Sequence, residues 1–136
     1  MIVTARLTFS AAHRLNNPKF DADWNRSTYD KCDNAGGHGH NYALEVSVQG
    51  RIDPDTGMVI DLKKLKDIMR SRVVDRVDHR NLNSDVDFLR GVIPTAENLA
   101  RSFWRELAPA IREGSLCEIV LHETERNSVR YRGEDE

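Results

Sequence analysis

Cysteine is scarce in this 136-residue chain: Cys32 and Cys117 are the only two. Two cysteines so far apart make no disulfide framework, and both are read as reduced thiols. Long apolar runs are missing as well, and no stretch approaches the roughly eighteen residues that a membrane span needs. The opening MIVTARLTF has no cationic segment leading into an apolar one. No secretory signal is therefore read, and the expected compartment is cytoplasmic. Charge of one sign is not in excess either. Twenty Lys and Arg stand against 22 Asp and Glu, a net charge of -2, which argues against a broad nucleic-acid surface. Internal repeats and low-complexity tracts are absent. What remains, at 39% hydrophobic residues, is enough for the core of a single domain, 1–136. Only Gly133 to Glu136 read as a frayed acidic tail.

Two segments alternate with period two. Val3, Ala5, Leu7, Phe9 and Ala11 interleave with Thr4, Arg6, Thr8 and Ser10, which predicts a strand over 2–13. Tyr42, Leu44, Val46 and Val48 alternate with polar residues over 40–50. Asp53-Pro54-Asp55-Thr56-Gly57 is a turn. Asp61 then caps a helix over 62–76 with Leu62, Leu65, Ile68, Met69 and Val73 on its buried side. Pro94-Thr95 opens a second helix, whose stripe is Leu99, Ala100, Phe103, Trp104, Leu107 and Ile111, with Gly114 as its stop. Residues 116–123 and 128–132 form a closing hairpin. The order ββααββ predicts an α+β fold: a four-stranded antiparallel sheet with two helices on one face. The other face carries Arg6, Thr8, Ser10, Glu45, Ser47 and Gln49, and must meet water or a wet interior shared with other subunits.

Residues 16–37 break the economy of this plan. A connection of some twenty residues between neighbouring strands is long enough to suggest function; Asp21 to Lys31 has room for a helical turn or two. Histidines gather where this loop meets the strands. His13 ends the first strand, and His38-Gly39-His40 opens the second. Residues i and i+2 of a strand point the same way, so the pair can converge on one ion. Alone, such a pair is a weak signal and reads more readily as solvated or hydrogen-bonded strand histidines. Antiparallel pairing would add His13, and three imidazoles with a free fourth position describe a catalytic zinc site. Cys32, six residues before His38, is either a thiolate base or ligand beside that metal, or a loop cysteine without a role. Asp78-His79 either serve a shared site or simply end a helix; neighbouring side chains are not expected to bond each other. Glu123 continues the apolar face of Ile119 and Leu121, so it either binds a planar ligand with two parallel N–H donors or bends out to water. Cys117 is read as inert packing and His122 as surface.

Taken together, the segments FSAAHRL (9–15), KCDNAGGHGHNY (31–42), DPDTGM (53–58), DHRNL (78–82), PTAEN (94–98) and HET (122–124) resemble the 6-pyruvoyl-tetrahydropterin synthase family. The resemblance implies a tunnelling fold in which three subunits close their sheets into a barrel and two trimers stack into a homohexamer. It implies one Zn2+ per subunit on His13, His38 and His40. It implies Cys32 as the proton-abstracting base, Asp78 and His79 as a relay, and Glu123 as the anchor of the pterin's amino-pyrimidine edge. Thr95 and Glu97 match a substrate-binding segment, although Ala96 stands where animal members often carry a second threonine. The implied reaction converts 7,8-dihydroneopterin triphosphate to 6-pyruvoyl-tetrahydropterin with loss of triphosphate; Mg2+ is implied without a site. The sister 6-carboxy-tetrahydropterin synthase of queuosine biosynthesis takes the same substrate and also releases acetaldehyde. Five residues separate Cys32 from His38, the spacing of the pyruvoyl-forming branch. A non-catalytic zinc- and pterin-binding oligomer and a dihydroneopterin aldolase are further alternatives.

Overall fold

The computed structural model describes all 136 residues. Two long strands form its spine. β1 (Ile2–His13) and β2 (His38–Gln49) pair antiparallel without interruption, from Ile2 opposite Gln49 to His13 opposite His38. β4 (Ser115–His122) adds to the free side of β2, and β5 (Ser128–Tyr131) adds to β4. The four-stranded antiparallel sheet read from the sequence is therefore present, with one addition. A two-residue strand β3 (Arg80–Asn81) runs parallel to Ala11–Ala12 of β1, giving the order β3-β1-β2-β4-β5. Two residues carry no detectable periodicity, so no sequence signal marks this strand.

The long connection contains helix α1 (Ala22–Tyr29), whose first turn is capped by the Asp21 carboxylate accepting from Trp24 N at 2.8 Å. A 3-10 turn, Asp30–Asp33, follows. Asn25, buried in the loop, satisfies all its groups locally: it accepts from Asn17 N and donates to the carbonyls of Asn17, Phe20 and Asp21. This shapes the segment as a folded unit rather than an open loop.

Asp61 caps helix α2 (Leu62–Met69), which widens into a π turn (Arg70–Val74) and closes with a single α turn, α3 (Asp75–Val77). Sequence explains the widening. Leu65, Met69, Val73 and Val77 are all fully buried at a strict spacing of four. An α-helix rotates about 40° too far every four residues, and a wider turn returns the stripe to the core. Thr95 caps α4 (Ala96–Leu107), accepting from Asn98 N at 3.3 Å. This helix ends sooner than the sequence suggested. A 3-10 turn around Pro109 (Ala108–Ala110) stops it, Ile111 is buried from beyond its end, and Gly114 belongs to the entry into β4. Proline in a continuing helix would clash with the preceding turn, which is why the stop falls there.

Both helices lie on one sheet face, over a single core cluster that includes Phe9, Tyr42, Leu44, Leu99 and Phe103. Phe9 stacks on Tyr42 (centroids 4.8 Å) and meets the edge of Phe103 at 6.0 Å. On the opposite face polar side chains pair with each other: Thr4 with Ser47, His122 with Glu45, and Glu118 with both Arg130 and Arg132. Ser47 is buried there instead of wet, because its hydroxyl is shared with Thr4 at 2.8 Å. No helix is long and apolar enough to cross a membrane.

Candidate metal centre and adjoining clefts

The β1–β2 register brings three imidazoles to one corner of the sheet. His13 stands opposite His38, and Ala11 opposite His40. Gly39 separates the two β2 histidines, which therefore point to the same face of the sheet. The ring centroids lie 4.6, 4.8 and 5.0 Å apart, and the planes cross at 70–88°. The rings thus fan around a common point, and one nitrogen from each lies within 4.8 Å of the others. His13 and His38 bring their Nε2 atoms to 3.0 Å.

The tautomer of His13 follows from its surroundings. Its Nδ1 lies 2.7 Å from the carbonyl oxygen of Pro94. A carbonyl can only accept, so Nδ1 carries the proton and the Nε2 lone pair faces the cluster. Burial holds His13 below the usual histidine range, although the bond to Pro94 opposes it. Burial likewise lowers His40, against the pull of the Glu123 carboxylate. Burial thus favours the neutral form of both imidazoles, the form in which they ligate metals. His40 Nε2 is buried without a hydrogen-bond partner, 4.0 Å from Glu123 Oε1. Leaving a buried nitrogen unsatisfied costs about 1–3 kcal/mol, and a cation among the rings would satisfy it. Tetrahedral bonds of 2.0–2.1 Å to nitrogen put ligand atoms about 3.3 Å apart. The cluster spans that separation, so these residues fit a metal ion.

Glu123 joins two clefts. One, of about 720 Å3, is lined by His40, Tyr42, Asp78, His79 and Glu123. The other, of about 380 Å3, is lined by Thr95, Glu97 and Glu123. Asp78 accepts from Ser10 N at 2.9 Å, and its Oδ1 lies 3.0 Å from His79 Nδ1. The Ser10 N–H is the main reason that the Asp78 carboxyl is held below its usual range. The two side chains approach closely without a well-aligned hydrogen bond between them, as expected of neighbours, and both line the larger cleft. His79 has φ +58, a left-handed turn that folds its ring back over the preceding carboxylate. Cys32 is placed differently. It sits half-buried on the 3-10 turn, its carbonyl accepting from Leu15 N at 2.8 Å, and it lines neither cleft.

Some partners had no sequence signal. The Pro94 carbonyl is a backbone group, and nothing in residue type reveals it. Tyr42 was legible as a buried residue, but its hydroxyl, 3.4 Å from His13 Nδ1, was not. His122 lies on the polar face, paired with Glu45. Cys117 donates to Ser47 O at 3.3 Å, and burial pushes its thiol up, as suits an inert packing residue.

Comparison with known proteins supports the same grouping. The family model for 6-pyruvoyl tetrahydropterin synthase matches residues 2–134. A 6-pyruvoyl tetrahydrobiopterin synthase of Dictyostelium discoideum is 43% identical, over 98% of this chain and 97% of that protein. The Homo sapiens protein of the same name is 41% identical over 97% of this chain and 91% of its own length. The structure of Caenorhabditis elegans 6-pyruvoyl tetrahydropterin synthase superposes with a TM-score of 0.89 at 42% identity, covering 98% of this chain and 97% of that one. With its strands, helices and histidine corner in place and matches of this length, the chain belongs to the 6-pyruvoyl tetrahydropterin synthase family.

Proposed function

We propose that this chain is a lyase converting 7,8-dihydroneopterin triphosphate to 6-pyruvoyl-tetrahydropterin with release of triphosphate. The observation that carries this reading is the fan of His13, His38 and His40 beside the carboxylate of Glu123. These three residues would hold a Zn2+ ion. Bound there with fewer protein ligands than a closed structural site, it would act as a Lewis acid on substrate side-chain oxygens.

The chain's own groups supply the rest. Glu123 stands between the two clefts, where a carboxylate can accept two parallel N–H bonds from an amino-pyrimidine edge. Thr95 and Glu97 line the smaller cleft together with Glu123. The Thr95 oxygen already caps α4, and its O–H remains available to donate. Cys32 is the proton-abstracting base in this reading on the strength of the family resemblance; it stands outside both clefts of the single chain, on a turn tied to Leu15, two residues beyond His13. Asp78, anchored by Ser10, holds the His79 imidazole at the mouth of the larger cleft, where it can pass protons. Side-chain oxidation is matched by ring reduction within the same molecule, so no external oxidant is required. The polar sheet face lines the barrel of a trimer in this reading, with two trimers forming the hexamer.

The 6-carboxy-forming reaction is the second reading, because it uses the same substrate and the same metal. Full-length relatives named for the pyruvoyl product favour the first. The test is metal-loaded turnover of 7,8-dihydroneopterin triphosphate, with every product identified by mass spectrometry. A pyruvoyl pterin with triphosphate is expected. A carboxylated pterin with acetaldehyde would give the second reading, and tight pterin binding without turnover would make the chain a binding module.

A further inference from the structure

Asp33 belongs to neither cleft, yet it is a buried carboxylate with two donors aimed at one oxygen. It is 6% exposed. Its Oδ1 accepts from Arg14 Nη2 at 3.0 Å and from Asn16 Nδ2 at 2.7 Å. Arg14 also donates from Nε to the Asp33 carbonyl at 2.8 Å, and Leu15 N donates to the Cys32 carbonyl at 2.8 Å. Residues 14, 15 and 16, the three that follow His13, therefore grip residues 32 and 33. The far side of the turn is held too. Asn34 O accepts from Gly37 N at 2.9 Å, and Gly37 lies against the His13 carbonyl just before His38. The turn that carries Cys32 is thus fastened next to the first two histidines, and Asp33 supplies its ion pair to the end of β1 through Arg14.

We propose that Asp33 is a positioning residue: through Arg14 and Asn16 it fixes the Cys32 turn against the end of β1, and so sets where the thiol stands relative to the histidine corner. A buried carboxylate without partners would be costly, and charge-assisted hydrogen bonds are the stronger kind. The clamp therefore resists the small displacements to which proton transfer is most sensitive. Asp33 touches no substrate and removes no proton itself. The inference rests on Cys32 being the base of the proposed reaction.

Asp33→Ala and Asp33→Asn, in the assembled, metal-loaded protein, test it. Asp33→Ala is expected to keep one metal per chain and an unchanged Co2+ absorption spectrum. Its kcat should fall about 30-fold or more, as misplacement of a reacting group by roughly an ångström can do, while KM stays within about threefold. Asp33→Asn keeps the accepting Oδ1 and should recover kcat to within about threefold of wild type. A second readout does not depend on turnover. Iodoacetamide labelling of Cys32 in the metal-free protein, resolved from Cys117 by peptide mass, should change at least about fivefold in Asp33→Ala and return to wild type in Asp33→Asn.

Wild-type kcat and labelling in Asp33→Ala would overturn the proposal. So would loss of the metal or its spectrum together with kcat, since Asp33 would then be building the metal corner. If Asp33→Ala does not fold, Asn16→Ala removes one of the two bonds to Oδ1. It should show a smaller loss confined to kcat, and wild-type behaviour there would count against the clamp. Full turnover by Cys32→Ser would instead remove Cys32 from the chemistry, and the labelling result would still decide whether Asp33 places the thiol.

Discussion

Gly37 precedes His38 and adopts φ +71; a Cβ built there would stand 3.0 Å from the His13 carbonyl oxygen. Gly57, in the turn before α2, has φ +73 with nothing within 4 Å of a Cβ. The two glycines share a left-handed φ and differ in what a Cβ would meet. A non-glycine residue in the left-handed region costs about 1–2 kcal/mol. Alanine also recovers about 0.4–1 kcal/mol by stiffening the unfolded chain. Gly57→Ala should therefore lose about 1 kcal/mol, which lowers Tm by about 3–4 °C for a chain of this size. Gly37→Ala carries the same cost and must also push the His13 backbone away from His38 by a few tenths of an ångström. About 1 kcal/mol more is expected, with a tenfold or greater loss of zinc affinity, since ligand placement governs binding. Thermal unfolding of the metal-free proteins reads the first quantity, and competition with a chromogenic chelator reads the second. Equal zinc affinity in the two variants would show that contact between Gly37 and His13 does not hold the ligand corner together.

The remaining expectations concern the same corner. Burial lowers His13 and His40 in the folded state, so below the ordinary value near 6.5 the unfolded chain takes up protons that the folded chain refuses. Stability of the metal-free protein should be fully present above that pH and decline as pH falls toward the lowered folded values; thermal scans between pH 7 and 5 check this, and a flat profile would contradict it. Tyr42→Phe should leave zinc affinity within about threefold and stability within about 1 kcal/mol, because the His13 Nδ1 proton is committed to Pro94 and the Tyr42 contact is long. Thr95→Ala should cost about 1 kcal/mol through loss of the α4 cap and raise KM, while Thr95→Ser restores stability; unfolding and steady-state kinetics read both.

Periodicity made the sheet legible: alternation in β1 and β2 and their antiparallel pairing were enough to bring His13 beside His38 and His40. The caps were legible as well, since Asp61 and Thr95 are residue types that accept from helix N–H groups. Other features depend on groups that carry no side-chain signature. The Pro94 carbonyl that orients His13 is one, and the two-residue β3 is another. The close approach of His79 to Asp78 comes with a left-handed backbone at a histidine, which residue type does not announce. The π turn was implicit in the spacing of Leu65, Met69, Val73 and Val77, a period of four that an α-helix alone cannot keep facing one way. Cys32 was conspicuous in the sequence, but the charged clamp behind it became visible only once Asp33 was seen to be buried.

The most direct measurement is zinc K-edge absorption of the metal-loaded protein, taken with metal stoichiometry for His13→Ala, His38→Ala and His40→Ala. One zinc per chain is expected, in a shell of three imidazoles completed by an exchangeable oxygen at about 2.0 Å. Each single variant should lose the metal at micromolar chelator. Sulfur in the zinc shell, a fourth imidazole, or full occupancy in any of the three variants would contradict the three-histidine centre on which the proposed chemistry depends.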